Sequence, residues 1–179
     1  MRIELSFPLV DDILSDWQSK LGTGFRGYRN HIYRMLHFCF ALRECSDEEK
    51  EKLMIAACFH DLGIWIENTV DYIPPSVPPA MAYLEQEGRS DWAEEIRLMI
   101  TEHHKLSPYS DSNHNLVELF RQGDLVDFSL GLVRFGLPKS QIKQVKHAFP
   151  NAGFHIFLAK IASRWCLRHP LNPAPMMKW

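Results

Sequence analysis

An excess of charge of either sign is missing from this chain. Its 20 Lys and Arg stand against 22 Asp and Glu, a formal net charge of -2. Without a large positive field, electrostatic capture of nucleic acid loses its main source of affinity, so no nucleic-acid partner is expected. Cysteine is scarce as well. Cys39, Cys45, Cys58 and Cys166 form no Cys-x-x-Cys pair and no ladder of the kind that staples secreted mini-domains. Cys39 and Cys58 fall in apolar helical stretches and read as small buried hydrophobes in a reducing compartment. No uncharged apolar run approaches the roughly 18 residues that span a bilayer. Arg2, Glu4 and Pro8 occupy the N-terminus where a signal peptide needs an apolar stretch. A cytoplasmic protein with no membrane partner is the expectation. Repeats, low-complexity tracts, charge blocks and alternating strand patterns are absent too. What remains is 179 residues, 46% hydrophobic and 23% charged. That suits one globular domain covering 1–179.

The apolar spacing is helical almost throughout. Val10, Ile13, Leu14, Trp17 and Leu21 share one helix face, which Gly22 and Gly24 should end. Ile32, Met35, Leu36, Cys39, Phe40 and Leu42 predict a long helix over about Tyr28 to Glu44. Ser46 with Glu49 three residues on fits a capping box. The helix it opens should end at Gly63, near the His60-Asp61 pair. Four prolines between Asp71 and Pro79 predict a loop, a lid or a stiff connector, since a regular helix should not run through them. Short helices are expected over about Ala80–Glu87 and from Ser90. Asn113 or Asn115 should cap a helix reaching about Leu132. Pro138 should open a short helix as its first residue, and a last helix should cover about Gly153–Arg168. The tail beyond it holds Pro170, Pro173 and Pro175. These elements add up to an all-α, single-domain bundle of about 7–9 helices, with a C-terminal helix and proline-rich tail over 150–179.

Nine histidines are the one unusual count, and histidine is the commonest metal ligand. Their placement matters more than their number. His60-Asp61 ends a strongly apolar helix, where a buried acid and imidazole need partners. A cation would satisfy both, although a solvent-facing polar pair would also explain the dipeptide. His31 lies on or beside an apolar stripe with Met35 and Phe38, which also suits a hydrogen-bonded core histidine. His103 and His104 end a helix whose apolar face is Ile96, Met99 and Ile100. Asp124 and Asp127 share a face among Leu119, Phe120 and Phe128. Four helices therefore each carry an inward His or Asp, the way helical bundles build metal sites. Histidines mixed with carboxylates suit a borderline divalent ion such as Mn, Fe, Co, Ni or Zn, with Mg also considered. His37, His114, His147, His155 and His169 have no partner by spacing and read as surface or structural.

Four segments carry a resemblance. In order they are Tyr-Arg-Asn-His-Ile-Tyr-Arg-Met-Leu around His31, Ala-Cys-Phe-His-Asp-Leu-Gly-Ile around His60 and Asp61, Ile-Thr-Glu-His-His-Lys around His103 and His104, and Gly-Asp-Leu-Val-Asp from Gly123. The ordered set resembles the HD superfamily of metal-dependent phosphohydrolases, over residues 25–132. The resemblance implies that His31, His60, Asp61 and Asp124 hold the ion, with His103 or His104 as a later ligand. Asp127 would stand behind the ligands or carry a proton. Members with two ions add a histidine about twenty residues after the His-Asp pair. None occurs here between His60 and His103, so one ion is expected. The Lys after the His-Asp pair and the Gly-Tyr-Pro element of the cyclic-dinucleotide branch are also missing.

A metal-dependent hydrolase of phosphoric esters, acting on a small phosphorylated molecule such as a nucleotide, is the function this implies. Asp61 would serve the chemistry as a ligand, and Asp127, Glu102 or Glu67 could carry a proton. Arg34, Arg29 and Lys105 are the candidate phosphate contacts, because arginine grips phosphate oxygens with a fork. A buried salt bridge that orients an aspartate is the competing role for Arg34. An iron-dependent oxygenase of the same superfamily and a non-catalytic metal- or nucleotide-binding module, acting as a homodimer, are the alternatives.

Overall fold

The computed structural model describes residues 3–177, and these are all-helical. Eight helices of nine residues or more follow in order: α1 (Pro8–Asp16), α2 (Phe25–Leu42), α3 (Asp47–Phe59), α4 (Ile73–Gln86), α5 (Ala93–Glu102), α6 (Asn115–Phe128), α7 (Lys139–Ala148) and α8 (Phe154–Arg168). Single helical turns at Gln18–Leu21 and Gly63–Ile66 and three short 3-10 turns join them. The all-α expectation is met. None of the described helices is long and apolar enough to cross a membrane.

The fold is organised around α2 and α6, its most extensive helix pair. Gly123 is the reason they lie so close. A Cβ there would fall 2.2 Å from Cys39 Sγ and 2.9 Å from the Met35 carbonyl oxygen. With no side chain to clear, α6 presses its backbone onto α2 and carries Asp124 and Asp127 toward His31. Apolar residues of all eight helices form one core about this pair, among them Leu36, Phe38, Phe59, Ile100 and Phe120, all buried. Cys39, Cys45 and Cys58 are buried and Cys166 is exposed, none of them bridged.

Several boundaries differ from the sequence reading. The Ser46–Glu49 capping box forms in full. The first helix breaks at Trp17 instead of running on to Leu21. Pro138 stands just before α7 with an extended ψ of 138°, so it caps that helix rather than opening it. The α6 helix stops at Phe128, and the carboxylate of Asp111, not an asparagine, caps the 3-10 turn ahead of it. Gly63 ends no helix. A Cβ there would lie 2.1 Å from the Tyr72 carbonyl oxygen, so the glycine lets the turn after His60-Asp61 sit against the start of α4.

The largest correction concerns the prolines. The α4 helix begins at Ile73 and runs through Pro74, Pro75, Pro78 and Pro79. Pro74 and Pro75 lie in the first turn, where the missing N–H would have had no helical partner. Pro78 and Pro79 each remove an interior hydrogen bond, a cost of about 3 kcal/mol in an isolated helix. Packing offsets it: Ile73, Ser76, Ala80 and Leu84 are buried, and Ser76 Oγ accepts the Gly63 N–H at 2.9 Å.

Candidate metal centre

Four chain segments converge on the N-terminal half of α2. His31 comes from the middle of α2, and His60 and Asp61 follow α3 directly. His103 is the C-cap of α5, and Asp124 and Asp127 sit in the last turns of α6. All six are buried, with His60 at 0% and Asp124 at 4% relative exposure. His31 Nε2 lies 3.1 Å from His60 Nε2 and 3.4 Å from Asp124 Oδ1. Asp61 Oδ2 lies 3.4 Å from His60 Nε2, and Asp61 Oδ1 lies 3.5 Å from His103 Nε2.

Hydrogen bonds on the far side of each ring fix which nitrogen faces this cluster. His60 Nδ1 donates to the Ala57 carbonyl at 2.8 Å and His103 Nδ1 to the Ile100 carbonyl at 2.7 Å. A carbonyl only accepts, so the proton is on Nδ1, and a neutral ring leaves Nε2 as a bare lone pair. His31 Nδ1 donates to Asp127 Oδ2 at 2.7 Å. Burial pulls the His31 pKa down to about 4 against the pull of Asp127, so this ring is neutral at pH 7. Nε2 of His31 is therefore a bare lone pair, and the Nε2 atoms of His60 and His103 are turned with it toward two acidic side chains. Asp61 Oδ1 and His103 Nε2 are buried without any hydrogen-bond partner. Stranded buried acceptors of this kind each cost about 1–3 kcal/mol. A cation removes that cost, and these donors fit a divalent ion.

Two groups of ligand atoms lie within 4.8 Å of one another: His31, His60 and Asp61, and separately Asp61, His103 and His104. Asp61 belongs to both. The histidine missing between His60 and His103 was the ground for expecting one ion. The adjacent pair His103-His104 instead brings two imidazoles to Asp61. The Tyr72 hydroxyl sits 2.5 Å from His104 Nε2, so while that contact stands only Nδ1 of His104 is open to an ion.

Asp127 lies behind the ligands. It accepts from His31 Nδ1 and from both Nε and Nη2 of Arg34, at 2.5 and 2.7 Å. Burial alone would raise its pKa, but the hydrogen bonds from His31 and Arg34 hold it at about 2. It cannot take up a proton near neutral pH, which removes it as a proton carrier. Arg34 is 1% exposed. Its remaining Nη1 donates to the Phe149 carbonyl at 3.1 Å. The salt-bridge role therefore displaces the phosphate role: i,i+3 spacing puts Arg34 one turn deeper than His31, where Asp127 takes the fork.

Arg29 is likewise engaged elsewhere. Its Nε and Nη2 donate to Asp11 at 2.7 and 3.1 Å, and the guanidinium lies over the Tyr33 ring. Lys105 Nζ lies 5.8 Å from the centre of the Tyr109 ring. Glu102 occupies the last position of α5, half-buried, and accepts from the Thr101 hydroxyl at 3.4 Å.

Two residues enter that the sequence reading left out of the site. His155, read as lacking a partner, donates from Nε2 to the Asp127 carbonyl at 3.1 Å and contacts Asn151 through its other nitrogen. Its position in the first turn of α8, at i,i+3,i+4,i+7 with Leu158, Ala159 and Ala162, was the available signal. Tyr72, which lay in the expected loop, is buried beside His104. Burial, and then the nearby Asp61 charge, push its phenol well above its ordinary value, so it keeps its proton. Tyr72, His104 and His155 line a cavity of about 250 Å³, with Phe128, Leu158 and Met176 among its apolar walls. A larger cavity of about 420 Å³ near Gly24, Trp65 and Phe157 contains none of the candidate ligands. Comparison with family models, with curated proteins and with solved structures finds no match for this chain.

Proposed function

We propose that the chain is a metal-dependent hydrolase of phosphoric esters, with its centre at His31, His60, Asp61 and Asp124 and its substrate entrance in the cavity at Tyr72, His104 and His155. The single observation that carries the metal part is the set of three Nε2 atoms, each turned inward by a hydrogen bond on Nδ1, beside two buried acidic side chains. The resemblance to the HD superfamily supplies the phosphoryl part. A divalent ion there supplies Lewis acidity, polarising a phosphoryl oxygen and acidifying water.

The protein's own contribution is positional. Asp127, fixed by Arg34, orients the His31 ring and keeps its proton on Nδ1, the arrangement that raises an imidazole's strength as a ligand. Burial pulls the His104 pKa well below its ordinary value, with His103 adding to the effect, so His104 is neutral. The Tyr72–His104 pair thus places one phenolic proton at the cavity wall, where it can be donated to an oxygen of a bound ester. The apolar walls exclude competing water.

The test is phosphate release from a panel of phosphomonoesters and phosphodiesters, with chelated protein and after addition of Mn, Fe, Co, Ni, Zn or Mg. Release that appears only with metal and disappears in Asp61→Ala supports the reading. No release with any ion refutes it. The iron-dependent oxygenase is kept as a second reading because of the shared Asp61. Two Fe per chain with substrate-dependent O2 uptake would favour it, and metal-supported phosphate release without O2 uptake would reject it.

A further inference from the structure

The cavity at Tyr72 and His104 shares part of its apolar wall with a second cavity. Val70 and Ile161 also line a neighbouring cavity of about 390 Å³, bounded by Asn68, Thr69, Arg164, Trp165 and Arg168. The two meet along one face of α8. The first cavity offers no Lys or Arg, and the second no Asp or Glu.

Arg164 and Arg168 sit four residues apart, so their guanidinium groups project from the same side of α8. Like charges at that spacing repel and destabilise the helix unless an anion lies between them. Among the described residues no ion pair engages either one, while Arg29, Arg34, Arg43, Arg89, Arg97 and Arg121 all have a carboxylate partner. Their platform is built. Trp165 donates from Nε1 to the Asn172 carbonyl at 2.9 Å and stacks on His169 with ring centres 4.0 Å apart. This ties the returning tail to the helix, and farther along Met176 packs against Ile64, Tyr72 and Ile73.

From these features we infer that the two adjoining cavities together take a molecule with two anionic ends and an apolar middle, its distal end held by Arg164 and Arg168. His155 and Arg164 are nine residues apart, which at a rise of about 1.5 Å per residue sets a span of roughly 14 Å between the ends. The distal anion is a phosphate or a carboxylate, both of which fit an arginine fork. The identity of the reacting end rests on the hydrolase reading. The distal site does not.

Isothermal titration of the metal-loaded full chain with a chain-length series of α,ω-alkanediphosphonates tests this, with alkylphosphonates of equal length as controls. The diphosphonate of matching span should bind about tenfold or more tightly than its control. In the double variant R164Q/R168Q that advantage should vanish. Both arginines are exposed, so the variant should keep the fold, which circular dichroism checks. Equal binding of the two ligand types by the wild-type chain overturns the inference, as does an advantage that survives in R164Q/R168Q. Arginine-dependent binding together with no ester turnover would sink the hydrolase reading and uphold the distal site.

Discussion

Asp124 and Asp127 lie three residues apart on one helix, equally buried, and meet opposite surroundings. Asp127 receives three charge-assisted hydrogen bonds from His31 and Arg34 and stays ionised with a pKa near 2. Asp124 faces the Nε2 atoms of His31 and His60 at 3.4 and 3.9 Å and feels the charge of Asp61. Burial, reinforced by Asp61 and Asp127 and opposed by His103, pushes its pKa up to about 8. Burial is therefore not what marks a metal ligand. An acceptor left without a donor marks it, and the neighbour with all its donors marks the scaffold behind the ligand.

The largest effect should come from the ligand side. Asp61→Ala removes the residue common to both ligand groups, so elemental analysis should find metal near background and turnover should fall by about 100-fold or more. Retained metal at wild-type stoichiometry would break the contrast. On the scaffold side, Arg34→Met leaves Asp127 buried without its fork and should cost about 3–5 kcal/mol. Calorimetry should show Tm lower by on the order of 10 °C. Gly123→Ala acts on the contact that sets the two aspartates against α2. Its methyl group would meet Cys39 Sγ and the Met35 carbonyl, an overpacking worth about 1–3 kcal/mol by denaturant titration.

Chelated protein sharpens the comparison further, because the two acids link to pH with opposite sign. The folded pKa of Asp124 is raised, so the folded state holds its proton more tightly, and stability falls as pH rises from about 4 to about 8. The folded pKa of Asp127 is lowered, so its contribution is present above about 4 and is lost as pH falls toward 2. Asp124→Asn should raise the Tm of the chelated protein at pH 8 and flatten its decline, whereas Asp127→Asn should lower it. Both shifting downward would contradict the assignment. The smallest effect belongs to Arg29→Gln. Its half-exposed pair with Asp11 should be worth under about 1 kcal/mol, with turnover unchanged. A large loss of turnover would return Arg29 to the site.

Much of this arrangement was legible in the chain. Helical spacing located the eight helices, and Ser46 with Glu49 marked a helix start because capping is local chemistry. Helical spacing placed His31, His60-Asp61, His103-His104 and Asp124-Asp127 on inward faces, and the resemblance to the HD superfamily singled out His31, His60, Asp61 and Asp124 among them. Three things were not. The prolines of α4 gave the wrong answer because burial of Ile73, Ala80 and Leu84 outweighs a local penalty. The fork of Arg29 was assigned to a ligand, and that of Arg34 was left between a ligand and an aspartate, because their partners, Asp11 and Asp127, are 18 and 93 residues away. His155 and the Arg164–Arg168 pair went unread because α8 acquires its meaning only when folded against Tyr72 and Val70.

The most direct test of the metal claim is an anomalous-difference map from crystals grown with Mn or Zn, collected at the absorption edge of that ion. A single strong peak is expected roughly 2.0–2.3 Å from His31 Nε2, His60 Nε2 and oxygens of Asp61 and Asp124, with a second, if present, on the His103 side of Asp61. A map with no peak among these atoms, and an ordered water bridging His31 and His60 instead, would contradict it.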